Sequence, residues 1–207
     1  AGAAFHADTA RAEVHFRRTE SGWQLALGEL QLERNARPWS PGRVLVTAHR
    51  ETLRVDGDFL RLQDTIALAR AFGLAWPPGD LQRLALRGDL HEVSAFVEPK
   101  LGIDSLRAEA RFADLAVDTR LASASGLAGQ LRVDGRSARV RVDSARLNTR
   151  VKRLFPWGLS VDRLTGQLAV VREPHGWVIL GRGLRASNAD LAARVRFRAD
   201  LSRGRPP

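Results

Sequence analysis

Leu191-Ala192-Ala193-Arg194-Val195-Arg196-Phe197-Arg198-Ala199 is the stretch whose reading decides the fold. From Ala193 to Ala199 apolar residues hold every second place and arginines fill the gaps. Side chains on a β-strand point alternately to opposite faces, so this segment has one apolar and one cationic face. The same alternation runs through Ala12-Glu13-Val14-His15-Phe16 and Trp23-Gln24-Leu25-Ala26-Leu27. It returns in Leu106 to Phe112, Ser137 to Val142, Leu164 to Val171 and Trp177 to Leu180. Turn signals fall about every ten residues, as in an antiparallel meander.

Several local expectations follow. The polar run Arg17 to Gly22 closes a hairpin, and a phase slip at Gly28-Glu29 before Leu30 and Leu32 suits a β-bulge. Val44 to Val46 and Leu53 to Val55 read as a strand pair, with Asp56-Gly57-Asp58 as a turn. Asp134-Gly135 reads as another hairpin turn. Further strands are expected at Leu84 to Leu90, Val93 to Val97, Leu115 to Val117 and Leu127 to Val133. Asp64 to Leu74 loses period two and is the one helix, with Asp64 as N-cap and Gly73 as C-cap. Trp76-Pro77-Pro78-Gly79 ends it. The chain is therefore expected to be one unit over 1–207: hairpins over 1–60, helix and Trp-Pro-Pro turn over 61–79, repeated hairpins over 80–207.

Repetition supports this. Leu86-Arg87-Gly88-Asp89-Leu90, Leu127-Ala128-Gly129-Gln130-Leu131 and Leu164-Thr165-Gly166-Gln167-Leu168 share a Leu-x-Gly-x-Leu core at spacings of 41 and 37. Val14, Gly22, Trp23, Leu25 and Leu30 match Leu168, Gly176, Trp177, Ile179 and Leu184 at a constant offset of 154. The unit is a β-hairpin, reused along a sheet.

Composition sets the bounds. At 207 residues and 44% hydrophobic content the chain can bury a core and is not a disordered segment. It has no run of about 18 apolar residues, so no transmembrane helix is expected within it. It begins without methionine or a visible signal peptide, and we expect it to be an excerpt of a longer protein. Cysteine is absent, which excludes disulfides, thiolate catalysis and cysteine-based zinc sites. The formal charge is +10, and of 33 basic residues only Lys100 and Lys152 are lysine, leaving 31 arginines.

No enzyme constellation is present, and no cofactor is expected. The five histidines are scattered, and His6-Ala7-Asp8 is too small a set for a metal. No nucleophile elbow, zinc-protease motif or phosphate loop occurs. Arg139, Arg141, Arg194, Arg196 and Arg198 line polar strand faces, interleaved elsewhere with acids as in Arg107-Ala108-Glu109-Ala110-Arg111. A solvated outer face is the preferred reading, and no nucleic-acid partner is expected without interleaved aromatics.

The apolar faces pose the larger question. About a dozen strands with one apolar face each need covering, and one short helix cannot supply it. The sheet can pack on itself as a sandwich, close as a barrel, or stay open as a groove around an apolar ligand. Patterning alone does not choose.

Arg153-Leu154-Phe155-Pro156-Trp157-Gly158-Leu159, running on through Leu164-Thr165-Gly166-Gln167-Leu168 and Gly176-Trp177 to Ser187-Asn188-Ala189-Asp190-Leu191, resembles the central region of YhdP-type proteins of the AsmA-like superfamily. Gly126 to Gly135, the helix with Trp76-Pro77-Pro78, and Leu86 to Leu90 extend the resemblance to about residues 60–201. Trp157-Gly158 replaces a proline usual in that pattern. The resemblance implies a periplasmic segment of a large protein anchored in the inner membrane of a Gram-negative bacterium. It implies a fold of mainly β class, an elongated, twisted antiparallel sheet curled into an open hydrophobic groove. That groove would carry phospholipid acyl chains between inner and outer membrane, with no catalytic residues. Partners would be phospholipid and, through other parts of the parent protein, membranes; the alternative is a self-covered β-sandwich serving as a structural or protein-binding module. The candidate lining is Trp23, Leu25, Leu27, Leu106, Phe112, Leu127, Leu131, Val140, Val142, Leu164, Leu168, Val170, Trp177, Ile179, Val195 and Phe197.

Overall fold

Alternating sequence produces strands almost throughout. The computed structural model describes residues 5–71, 85–119, 122–151, 155–174, 176–190 and 192–202. The elements are β1 (Thr9–Thr19), β2 (Gly22–Arg34), β3 (Arg37–Pro38), β4 (Gly42–His49), β5 (Thr52–Arg61), α1 (Leu62–Ala71) and β6 (Ala85–Val97). A 3-10 turn at Gly102–Ser105 precedes β7 (Arg107–Asp118), β8 (Ala122–Asp134), β9 (Ser137–Val151), β10 (Phe155–Glu173), β11 (Gly176–Ser187) and β12 (Ala192–Ser202). All strands join one antiparallel sheet in the order β1-β2-β4-β5-β6-β7-β8-β9-β10-β11-β12, with the two-residue β3 paired to β2. The sheet is open, and no second sheet covers it among the described residues. The sandwich and barrel solutions are thus not taken.

The hairpin repeat holds residue for residue. In β1–β2 Arg18 lies opposite Trp23, and in β10–β11 Arg172 lies opposite Trp177, 154 positions on. The register slips between Arg11 and Glu13 in the first hairpin and between Thr165 and Gln167 in the second, again 154 apart. Further slips at Leu27/Leu30 and Gly181/Leu184 keep the same offset.

Those slips belong to a recurring bulge. Glu29, Asp114, Arg146 and Gly183 all have left-handed backbones, with φ of 49°, 50°, 56° and 59°. Each is followed by a leucine: Leu30, Leu115, Leu147 and Leu184. A bulge adds one residue to its strand and bends it. The extra residue returns the following leucine to the face that simple alternation would have taken it from. Glu92, φ 50°, makes a similar bulge in β6 before Val93. The bulge at Gly28-Glu29 is where the sequence places it.

The Leu-x-Gly-x-Leu cores find their explanation beside these bulges. Gly88, Gly129 and Gly166 have φ of 142°, 156° and 143°, a region that side-chain-bearing residues rarely adopt. A Cβ on Gly88 would lie 2.7 Å from Leu115 Cα, and one on Gly166 would lie 2.8 Å from Leu184 Cα. The neighbouring strand's bulge thus occupies the space a side chain would need.

Together the bulges form a crease across the sheet, and the core sits along it. Val93, Phe112, Val142, Leu147 and Leu184 are buried although no second sheet lies over them among the described residues. The sheet must therefore fold toward its apolar face along this line. Ser144 is buried there too, at 1% exposure. The β8–β9 ladder slips between Ser125 and Gly129, and Ser144 fills the gap. Its Oγ accepts from Ala128 N at 2.8 Å and donates to Ala128 O at 3.2 Å.

Helix α1 closes one end of the crease. Asp64 does not cap the helix as the sequence suggests; it lies in the first turn, 3% exposed. Its carboxylate takes Arg34 Nη1 at 2.7 Å and Trp39 Nε1 at 2.9 Å, which ties the helix to β2 and the β3–β4 link. Trp39 packs edge-on against Phe59, which meets the His91 ring in turn. Gln63 Oε1 accepts from Gly88 N at 3.1 Å, linking helix and crease. The expected C-cap Gly73 and the Trp76-Pro77-Pro78 stop lie outside the described residues.

Two further expectations are corrected. Asp56-Gly57-Asp58 is not a turn but the middle of β5; the chain reverses instead at Arg50-Glu51. Asp56 is held by Arg54 and Ser94, and Asp58 by Arg43, so ion pairs on the sheet surface consume the turn-like residues. The strand pairs expected over 84–97 and 106–117 are instead single strands, β6 from Ala85 and β7 from Arg107, interrupted only by bulges; Leu84 lies outside the described residues. Asp134-Gly135 does turn the chain, with Gly135 at φ 52°.

Replacing Gly166 by Ala should destabilise the protein by about 2–4 kcal/mol, since strain at φ 143° adds to a clash with backbone. Ser144→Ala should cost about 1–3 kcal/mol by leaving both Ala128 backbone groups unpaired. Arg146→Gly should change stability by less than about 1 kcal/mol, since relief of its left-handed backbone offsets glycine's entropy. Urea unfolding of the three variants measures all of this.

Candidate functional site

Residues directly opposite each other across an antiparallel pair share a face. Following that rule strand by strand gives one unbroken row. Phe16, Leu25, Val46, Val55, Ala95, Ala108, Val133, Ala138, Val170, Ile179 and Ala199 are successive partners from β1 to β12. Every member is apolar. A second row runs Ala110, Leu131, Val140, Leu168, Gly181 and Phe197. A third, on the crease, runs Leu90, Phe112, Gly129, Val142 and Gly166.

These rows gather most of the candidate lining on one face. Trp23, Leu25, Leu27, Phe112, Leu131, Val140, Val142, Leu168, Val170, Trp177, Ile179 and Phe197 lie on it by register. Leu164, opposite Ser144, and Val195, opposite Leu184, continue it past the crease. Leu127 faces Leu115 beside the β7 bulge. Leu106 immediately precedes β7, and its carbonyl accepts from Gly135 N at 2.7 Å, one step beyond the Arg107–Asp134 pair. Val44, Val46, Val55, Val93 and Val133 belong to the same face and were missed, although the same alternation marks them.

The face is only partly covered. Phe16 is 66% exposed, Val195 42% and Phe197 41%, while Phe112 and Val142 on the crease are buried. The total accessible surface is 14460 Å². A globular protein of 22.8 kDa would expose about 9,600 Å². Eleven strands leave ten spacings of about 4.8 Å, which make the apolar face about 48 Å long.

The opposite face is ionic. Arg132 pairs with Glu109 across β8 and β7, Arg111 with Glu92, Arg163 with Asp143 and Arg107 with Asp134. Arg54 donates to Asp56 at 2.7 Å, and that hydrogen bond holds the Asp56 carboxyl below its ordinary value despite partial burial. Arg136 does the same for Asp104, aided by Arg172. Exposed pairs of this kind add little stability. A cleft of about 1030 Å³ runs between Glu92 and Arg182, lined by arginines of this face and bordered by Ala110, Leu131, Val140 and Leu168 of the second apolar row. A twisted sheet is saddle-shaped, so each face is concave along its own diagonal.

Among the described residues no group of three His, Asp or Glu side chains converges as a metal site would need. No described helix is long and apolar enough to cross a membrane. What the geometry can do is present a long apolar surface.

The sequence profile of the YhdP protein family matches residues 4–207. The chain belongs to that family, which is one of the bacterial envelope. No curated protein and no solved structure matches the chain. The YhdP-type resemblance, read over about residues 60–201 with an echo at Gly22-Trp23, thus extends through the first hairpins as well.

A carboxylate held below its ordinary value stabilises the fold above the ordinary range, and that contribution is lost as pH falls through the depressed value. The Asp56 carboxyl carbon, followed by NMR, should accordingly titrate below 3.8, and should move up toward it in Arg54→Ala.

Proposed function

We propose that this YhdP-family chain is a segment of a periplasmic lipid bridge, in which the apolar rows hold phospholipid acyl chains between inner and outer membrane. The observation that carries this reading is the unbroken apolar row from Phe16 to Ala199, which has no covering layer among the described residues. An exposed apolar surface of this length aggregates unless something apolar lies on it. Acyl chains fit because each buried CH₂ contributes about 0.8 kcal/mol without any directional contact. The rows offer none of the polar groups that would select a headgroup, so chain length and not head chemistry governs affinity along them. The chain acts as a carrier and not as an enzyme, with no cofactor. Family membership supports an envelope location, and the anchor in the inner membrane would be supplied by the parent protein.

Val140 and Leu168 are neighbours in the second row and half-buried, away from the crease core. Val140→Asp with Leu168→Asp should leave the fold intact and remove most co-purifying phospholipid, read by native mass spectrometry. In a two-vesicle transfer assay the parent protein with both changes should lose at least about tenfold in rate, since two buried charges interrupt the row. Unchanged lipid content and transfer would overturn the reading. A protein co-purifying on the apolar face in place of lipid would do so too.

A further inference from the structure

The arginines of the polar face are not all solvated ion pairs. In the cleft between Glu92 and Arg182, Glu92 is taken by Arg111 and Glu109 by Arg132. Arg139, Arg141 and Arg182 line the same cleft and have no side-chain hydrogen bond or ion pair among the described residues. Five arginines against two glutamates leave three positive charges uncompensated in one concavity. The register makes this costlier. Arg132 lies directly opposite Arg139, and like charges facing each other across a pair destabilise a sheet. A sequence that needed only solubility could have met Arg139 with an acid, as Asp134 meets Arg107.

The spacing says what would relieve it. Arg139 and Arg141 are two positions apart on β9, hence on one face and about 6.7 Å apart at the backbone. Arg141 and Arg182 both flank Gln167, so they are two strands apart, about 9.6 Å. Gln130, opposite Arg141 on the other side, adds a neutral donor. Guanidinium groups bind phosphate in bidentate fashion, and three of them at these separations suit two or more phosphates better than one. Nucleic acid fits less well, because among the described residues no aromatic side chain lines the cleft for a base to stack on.

We propose that this cleft binds a small ligand carrying at least two phosphate groups, held by Arg139, Arg141 and Arg182. The three arginines alternate with Val140 and Leu168 and so lie on the face opposite the apolar rows, although both of those residues also border the cleft. Such phosphates could come from a lipid headgroup or from a free polyphosphate. Calorimetric titration of the purified chain with inorganic tripolyphosphate, and with a two-phosphate lipid in neutral detergent micelles, separates the sources. Binding is expected at low salt and should weaken as salt rises. The triple variant R139Q/R141Q/R182Q should weaken it by about tenfold or more. The control R185Q/R194Q removes two uncompensated arginines outside the cleft and should leave affinity within about twofold. Tighter binding of the lipid assigns the site to a headgroup, and tighter binding of tripolyphosphate assigns it to a soluble ligand. No binding of either probe overturns the proposal, as does equal loss in the control. Tighter, arginine-dependent binding of a DNA duplex would also overturn it and assign the cleft to nucleic acid.

Discussion

Side chains alternate along a strand with period two, and a single extra residue moves every later side chain to the wrong face. The left-handed residues at Glu29, Asp114, Arg146 and Gly183 absorb that extra residue, so the leucine after each stays in phase. The same residues bend their strands. Because they fall in a band across the sheet, local phase correction and global curvature come from one device. Every other feature depends on it. Gly88 and Gly166 of the Leu-x-Gly-x-Leu cores make room for the neighbouring bulge, Ser144 repairs a gap in the β8–β9 ladder, and α1 docks where Gly88 exposes a backbone donor.

The sequence carried the alternation, the hairpin repeat and the Gly28-Glu29 slip because each is a local pattern with a direct backbone consequence. Asp56-Gly57-Asp58 misled because turn propensity is also what a Gly flanked by surface ion pairs looks like, and only the arginines across the sheet distinguish them. Strands β6 and β7 looked like pairs of short strands because Glu92 and Asp114 break the phase without ending the ladder. Ser144 was legible in principle: Val140, Val142 and Ser144 share a phase, and a hydroxyl on an apolar phase asks for a reason. Asp64 was not, since Arg34 and Trp39 are 30 and 25 residues away and reach it only through tertiary structure.

The candidate lining was legible for the same reason as the strands. Register gathered its members because alternation had already assigned each to a face. The valines of β4 and β5 were passed over because they lie in short runs beside the misread Asp-Gly-Asp segment.

Stability and exposure are divided between two regions of one face. Val142, Phe112, Leu147 and Leu184 are buried on the crease, while Phe16, Val195 and Phe197 at the sheet edges remain open. Burial on the crease is secured by bends within the sheet itself, so it does not require a ligand on the walls. An apolar wall that must be filled in order to fold would grip its contents at about 0.8 kcal/mol per CH₂ and release them slowly. A wall whose fold is secured elsewhere can exchange them. The placement of the core along the bulges is therefore what allows a long apolar face to stand open without being the thing that holds the protein together.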